Sequence, residues 1–224
     1  KTFGIKAGRK CETKNYVLNP VNGEKIYFLA DGPHLLKNIK QCLVQNKIIQ
    51  LPNDFVEKYK LTSDLVDVQH IKDFCEEEGK FELQFASKLN VDLLQSNHFN
   101  KMKVSNSLNV LNRNVSCGIK FDAEEEREDK SSLTTAVFID VVHRWFQLIS
   151  SRSTILALSK FNMAVYRETI EFLQEFIKLF LNLKVAPDKF GKAVWKPIQT
   201  GVILTTTSIL DLQNLFLNVK KNLI

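Results

Sequence analysis

The hydrophobic positions along the chain predict one short strand near its start and helices over most of the remainder. Five consecutive apolar residues at 26–30 have strong β character and lie between turn signals, which is the pattern of a buried strand. The stretch that follows repeats its apolar residues at helical spacing, so a helix is expected from about residue 34 to residue 45.

Beyond residue 50 the spacing of apolar residues is almost wholly helical. Ser63 and Asp64 are typical residues for capping the start of a helix, and the helix after them is expected to end near Gly79. The predicted helices in this part of the chain cover residues 51–60, 63–79, 99–114, 132–149, 163–183 and 201–223.

Positive charge is concentrated at the beginning of the chain. The net charge is +6 at pH 7, and residues 1–60 alone carry 11 Lys and Arg against 5 Asp and Glu. The remaining residues are charge-balanced, so contact with an anionic partner such as DNA is expected of the first segment. No stretch approaches the roughly 18–20 uninterrupted apolar residues of a membrane-spanning helix, so no membrane partner is expected.

The cysteines and histidines form no recognisable metal-binding pattern. Cys11, Cys42, Cys75 and Cys117 lie far apart, and the 4 histidines add no zinc-type spacing. The cysteines are therefore expected to be free thiols in a reducing compartment. The G-x-S-x-G pattern of many serine hydrolases is also absent from the sequence.

Asp31 is the first candidate for chemistry, because it ends the predicted strand and precedes Gly32, Pro33 and His34. A carboxylate at the end of a buried strand is held rigidly and can ligate Mg²⁺ through its oxygens. Nucleotidyl-transfer enzymes hold two metal ions about 3.5–4 Å apart with two or three such carboxylates. The alternative is that Asp31 caps the following helix, and spacing alone leaves both interpretations open.

Four stretches, in order along the chain, resemble motifs of the P-element-type transposases, including relatives that carry a THAP domain. They are KIYFLADGPHLLKNI at 25–39, FNKMKV at 99–104, TTAVFIDVVHRWF at 134–146 and WKPIQTGVILTTTSIL at 195–210. One such match would be weak, but four in the family's order span nearly the whole sequence.

The resemblance implies a mainly α fold. In that family a largely helical insertion that binds GTP interrupts an RNase H-like catalytic domain. Residues 1–48 are then a small strand-containing fragment of the RNase H-like α/β domain, and residues 49–224 are the helical insertion domain.

The resemblance further implies that Asp31 is the second catalytic aspartate and a Mg²⁺ ligand. The first and third acidic residues are expected upstream of Lys1 and beyond Ile224. This segment is therefore not expected to be active alone, because one carboxylate cannot assemble a two-metal site. Lys37 and Lys40, on the helix after Asp31, are expected to contact DNA. The full-length protein is expected to be nuclear and homo-oligomeric.

A nucleotide site in the insertion is also implied by the resemblance. Lys103 would face a phosphate and Phe146 would pack on the guanine. Where the family has an aspartate with two acceptor oxygens, this chain has Gln147 with one, so guanine recognition is expected to be weakened. The predicted nucleotide-binding residues are Lys103, Val104, Asn112, Phe146, Gln147 and Ser150.

Three hypotheses of function follow. The first is a segment of a P-element-like DNA transposase with a Mg²⁺-binding aspartate and a GTP-binding insertion that organises the protein–DNA complex. The second is a domesticated, catalytically inactive descendant that serves as a DNA-binding or protein-interaction module and has lost nucleotide specificity. The third does not depend on the family and is a helical scaffold with a basic N-terminal arm, whose Lys103, Phe146 and Gln147 belong to an ordinary helix surface and core.

Overall fold

The structure is a computed structural model that describes residues 4–9, 11–95, 103–125, 127, 129–150 and 158–219. The chain divides into two compact units, each assembled from separate stretches. We call them the hairpin unit (Lys1–Leu35, Gln147–Asn182 and Trp195–Ile224) and the helical unit (Leu36–Phe146 and Leu183–Val194). The expected division after residue 48 stays a prediction.

Helices dominate the described residues, so the expected mainly α fold is confirmed. In chain order the helices are α1 Gly32–Asn46, α2 Asn53–Lys58, α3 Val68–Glu78, α4 Val104–Val110, α5 Arg113–Glu124, α6 Ser132–Ser150, α7 Met163–Asn182 and α8 Pro197–Asn214. The strands are β1 Lys6–Gly8, β2 Cys11–Lys14, β3 Tyr16–Leu18, β4 Lys25–Tyr27, β5 Ile48–Gln50, β6 Leu65–Asp67 and β7 Lys184–Val185. None of the helices in the described part of the chain is long and apolar enough to cross a membrane.

The hairpin unit begins with two antiparallel hairpins. β1 pairs with β2, and β3 pairs with β4 in a register that places Val17 opposite Ile26. The prediction of a buried strand over residues 26–30 was wrong in extent and in burial. Among the described residues β4 has only β3 as a strand partner, so Ile26 stays 46% exposed, and Leu29 beyond its end is 50% exposed.

Two long helices, α7 and α8, pack on each other in the same unit. Three phenylalanines one turn apart line the buried face of α7, with ring centroids 6.1 Å apart for Phe172 and Phe176 and 4.7 Å apart for Phe176 and Phe180. Gln199, which is 1% exposed, donates from Nε2 to the Phe180 carbonyl and accepts from the Lys196 backbone N–H. This buried amide fixes the start of α8 against the end of α7.

In the helical unit a three-stranded antiparallel sheet has the order β6-β5-β7. Ile49 of the central strand lies opposite Val66 on one side and Val185 on the other, and all three are buried. α3 packs on α5. The apolar part of the remaining core of this unit includes Ile71, Phe74, Leu111, Val115, Ile119, Phe138, Val142 and Trp145.

Several helices begin or end at residues other than those predicted, because of strand pairing and helix capping. The expected cap at Ser63 and Asp64 was wrong, because residues 65–67 pair with β5 and the helix starts only after them. The Asp67 carboxylate then accepts from the Gln69 N–H at 2.8 Å and caps α3. Within the predicted helix over 99–114, residues 99–102 lie outside the described residues and a break at Asn112 separates α4 from α5.

The final predicted helix starts earlier than expected. α8 begins at Pro197 instead of residue 201, because proline is well tolerated in the first helical turn, where its missing N–H costs no hydrogen bond. α8 ends at Asn214 and is followed by a π-helical segment over Leu215–Val219. Residues 220–223 of the predicted helix lie outside the described residues.

Gly118 makes the packing of α3 on α5 testable, because a side chain at this position would overlap the Phe74 ring. Replacing Gly118 with Ala is expected to lower the free energy of unfolding by about 1–3 kcal/mol. Overpacking a closed core outweighs the roughly 1 kcal/mol by which alanine favours a helix over glycine. Urea unfolding followed by circular dichroism measures the change.

The matched control is Gly79→Ala at the exposed end of α3, where the added carbon would lie 3.4 Å from the Glu76 carbonyl oxygen. Its free energy of unfolding should stay within about 0.5 kcal/mol of the wild-type value. A Gly118→Ala protein as stable as this control would contradict the packing of α3 on α5.

Candidate functional site

Asp31 lies at the start of α1 and caps it. Its Oδ2 accepts from the His34 N–H at 3.2 Å, and its carbonyl accepts from the Leu35 N–H at 2.9 Å. The side chain is exposed. The capping alternative is thus realised, and it does not compete with metal binding, because the cap uses one of the two carboxylate oxygens.

The backbone just before Asp31 is held by side chains of α8. Thr205 accepts from the Ala30 N–H at 2.9 Å, and Ser208 donates to the Phe28 carbonyl at 2.7 Å. Asn15, which is 3% exposed, donates from Nδ2 to Ser208 at 3.1 Å and to Asp211 at 2.9 Å. Two of the four motif stretches, 25–39 and 195–210, are therefore joined by hydrogen bonds within the hairpin unit.

The described residues alone do not fit a two-metal centre. Among them no group of three or more His, Cys, Asp or Glu side chains is placed to hold a metal ion. Asp31 thus offers one carboxylate ligand, and a Mg²⁺ pair would need further carboxylates.

Of the two lysines expected to contact DNA, the prediction for Lys40 was wrong. Lys40 is only 2% exposed, so its ammonium group does not lie on a surface that a DNA phosphate could reach. Burial lowers the pKa of Lys40 below its ordinary value. Helical spacing already places Lys40 one turn from buried Leu36, Leu43 and Val44, so this lysine lies within the apolar face of α1. Lys37 is half-buried and remains a predicted contact.

A cleft of about 330 Å³ lies in the helical unit beside the start of α5, and we call it the Asn112 pocket. Its polar lining comes from Ser87, Lys88, Asn109, Asn112, Arg113, Asn114 and His143. Lys88 and Arg113 are cationic, and none of the lining residues is acidic. The pocket is therefore suited to an anionic ligand with hydrogen-bonding groups.

Asn112 shapes this pocket as the cap of α5. Its Oδ1 accepts from the Val115 N–H at 3.1 Å, while its Nδ2 donates to the carbonyls of Leu108 at 2.7 Å and Asn109 at 3.0 Å. The amide closes the break between α4 and α5 with three hydrogen bonds. Asn112 therefore positions the wall of the pocket.

His143 contributes the titratable group of the pocket. Burial lowers its pKa, against the smaller opposing effects of a hydrogen bond to the Leu111 backbone and of the nearby Asp140 carboxylate. Its Nδ1 atom is buried and makes no hydrogen bond to any residue that the structure describes. The ring is therefore mainly neutral at pH 7.

The other predicted nucleotide-binding residues are placed differently. Lys103 is exposed and precedes α4, which begins with the half-buried Val104. Phe146 is 8% exposed and belongs to the core of the helical unit. Gln147 and Ser150 are exposed and belong to the hairpin unit.

Sequence reasoning missed Lys88, Arg113 and His143. A usable signal existed for His143, which lies three and four residues before Phe146 and Gln147 and so on the same side of α6. Arg113 also follows a residue type that favours helix caps. Lys88 had no local signal, because it reaches the pocket from a separate loop.

Comparison with known proteins bears on the fold. No protein-family model matches the chain, and no curated protein matches it at a significant level. Among solved structures, the Drosophila P element transposase strand transfer complex matches with a TM-score of 0.72 and 18% sequence identity. The match covers 92% of this chain and 44% of the transposase chain.

The fold is transposase-like. At 18% identity the likeness establishes the fold alone, and the chain spans less than half the length of the transposase chain that it matches. The expected resemblance to a segment of P-element-type transposases is therefore confirmed at the level of fold.

The capping role of Asn112 predicts a loss of stability on truncation. Asn112→Ala removes the acceptor for the Val115 N–H and both donated bonds, so the free energy of unfolding should fall by about 1–2 kcal/mol. Asn112→Asp keeps the capping oxygen without the two donors and should fall between alanine and wild type. Urea unfolding checks both values, and an unchanged Asn112→Ala protein would show that the amide does not close the break.

Burial of Lys40 predicts a pH-dependent stability. Since its folded pKa lies below the unfolded value of 10.5, the unfolded state binds more protons, and stability should rise with pH toward 10.5. Lys40→Met should be more stable than wild type at pH 7 and should lack this rise. Urea unfolding at several pH values measures it, with Lys37→Met as control on the same helix. A rise retained in Lys40→Met would refute the assignment to Lys40.

Proposed function

We propose that this chain is a segment of a P-element-like DNA transposase that carries one catalytic aspartate and a nucleotide-binding helical insertion. The observation that carries the proposal is the pairing of the Asp31 segment with α8 through Thr205 and Ser208. Two separate stretches with transposase-like sequence meet there, in a chain whose fold is similar to that of a transposase.

Asp31 is proposed as a Mg²⁺ ligand in the complete catalytic domain. The bound metal would activate the attacking oxygen and stabilise the leaving oxygen during strand cleavage and transfer. This chain's own contribution is positional: the α1 cap and the α8 hydroxyl groups fix the backbone on both sides of the carboxylate. Further carboxylates from the parent protein are required.

The insertion is proposed to bind GTP in the Asn112 pocket. Lys88 and Arg113 supply positive charge for phosphate oxygens, and Asn109 and His143 supply polar groups at the same pocket. Exposed Lys103 is retained from the sequence-based proposal as a phosphate contact, whereas Phe146 is buried in the core and does not line the pocket. No residue that lines the pocket has a carboxylate able to accept both the N1 and N2 hydrogens of guanine, so discrimination of guanine from adenine is expected to be small.

DNA is the proposed macromolecular partner, and the excess of positive charge in residues 1–60 supports it. The solved relative is a strand transfer complex. A nuclear location and a homo-oligomeric parent protein belong to the same proposal.

The alternative is a domesticated, inactive descendant that retains binding without catalysis. Gln147 and Ser150 favour it, because both depart from the residues that the family uses for the nucleotide. The parent sequence after Ile224 separates the two: an acidic D-x-x-E-N motif there supports catalysis, and its absence contradicts it.

Calorimetric titration of the chain with GTP and with ATP, each with and without Mg²⁺, tests the insertion. GTP should bind, ATP should bind within about tenfold of it, and Lys88→Gln with Arg113→Gln should weaken both by at least about tenfold. Lys80→Gln with Lys130→Gln removes the same charge away from the pocket and should leave both affinities unchanged. No heat at about 1 mM nucleotide, roughly the weakest affinity of interest, would refute nucleotide binding.

A further inference from the structure

A tight turn over Asp188–Lys192, which we call the Asp188 turn, follows β7 in the helical unit. Asp188 organises it, because its Oδ1 accepts from the N–H groups of Phe190 at 2.9 Å and Lys192 at 2.8 Å. Its backbone N–H also donates to the Lys192 carbonyl, and Gly191 takes up a positive φ of 70°. The carboxylate is thus committed to the backbone, and the turn has a defined shape.

The turn displays an aromatic ring between cationic groups. Phe190 is 75% exposed, and the Lys189 ammonium lies 5.2 Å from its ring centroid. Lys192 is exposed on the other side of Gly191, and Val194 is 76% exposed. Covering a large apolar side chain that an ordered turn holds in water would stabilise a complex with a partner.

Two further lysines, Lys184 and Lys47, lie near the Asp188 turn. The Lys184 ammonium lies 3.6 Å from the position that a Cβ on Gly191 would take. β5 and β7 are antiparallel and the Ala186 N–H donates to the Ile48 carbonyl, so exposed Lys47, just before β5, lies at the same end of the sheet as the turn.

The carboxylates near these lysines make hydrogen bonds elsewhere and form no ion pair with them among the described residues. Asp67, opposite Ile48 in the sheet, caps α3, and Asp64 accepts from Gln50 Nε2 at 2.7 Å. Within the described ranges none of the four lysines forms an ion pair. Lys47 and Ala186 are also two of the three non-glycine residues with positive φ among the described residues. Such backbone strain concentrates at functional sites.

We propose that the Asp188 turn is a DNA contact. Lys47, Lys184, Lys189 and Lys192 bind backbone phosphates, and Phe190 stacks on an unpaired base or inserts at a base step. Phosphate neutralisation by lysines supplies most sequence-independent affinity for DNA, and an apolar wedge beside cationic groups is a common way to grip distorted or single-stranded DNA. This inference rests on the proposed DNA partner and adds a surface outside residues 1–60 except for Lys47.

The test uses the whole chain and a 30-base-pair duplex with a single-stranded tail, with binding followed by fluorescence anisotropy over a series of salt concentrations. Lys189→Gln with Lys192→Gln should reduce the slope of log K against log salt by about 1.8, at roughly 0.9 for each lost phosphate contact. The control Lys80→Gln with Lys130→Gln changes the net charge equally and should keep the wild-type slope.

Phe190 is tested separately from charge. Phe190→Ala should weaken binding by about fivefold or more with an unchanged salt slope, and Phe190→Trp should restore it, because stacking depends on the ring. Circular dichroism and urea unfolding establish that each variant is folded, as expected for substitutions on an exposed turn.

The outcomes separate this inference from the proposed function. If the wild-type chain binds no DNA, the proposed DNA partner fails and this inference fails with it. If the wild type binds and the turn variants match the control, only the turn is refuted. Binding to phosphatidylserine vesicles that is lost in Phe190→Ala, with DNA affinity unchanged, would overturn the inference in favour of an anionic membrane surface.

Discussion

The hairpin unit depends on how the backbone of residues 28–30 finds hydrogen-bond partners. β4 pairs with β3 for only three residues, so the chain beyond Tyr27 has no strand beside it in the described structure. Thr205 and Ser208 take the place of a strand and bond the Ala30 N–H and the Phe28 carbonyl. Backbone N–H and C=O groups need hydrogen-bond partners when they are removed from water. For the Ala30 N–H and the Phe28 carbonyl, the hydroxyl groups of α8 supply those partners.

The same contacts place Asp31. Because Ala30 is tied to α8 and Asp31 itself caps α1, the carboxylate has a fixed position although it is exposed. A rigid carboxylate with one oxygen used by the cap and one available is well suited to metal coordination. A helix cap and a metal ligand, which are competing interpretations of an isolated aspartate, are therefore compatible roles in this fold.

The charge-balanced part of the sequence is not uniform in space. Within the helical unit, Asp67, Asp73, Glu76 and Glu77 border one acidic cleft near α3. Lysines gather instead around the Asp188 turn, and Lys88 with Arg113 lies at the Asn112 pocket. A zero net charge over the sequence thus conceals separate anionic and cationic surfaces, and the cationic ones are the places where phosphate groups would bind.

Local sequence determined most of the helices and the start of α1. The helices predicted over 132–149 and 163–183 match α6 and α7 within a residue at each end. Such helices can be predicted because the apolar stripe of an amphipathic helix depends only on the sequence of that helix. Tertiary structure alone decided the pairing of Leu65–Asp67 with β5 and the loop that brings Lys88 to the pocket. Each of these depends on which distant segment lies alongside. The spacing of apolar residues within one element does not show which distant segment will pack beside it, because those hydrogen bonds are made with neighbours in space.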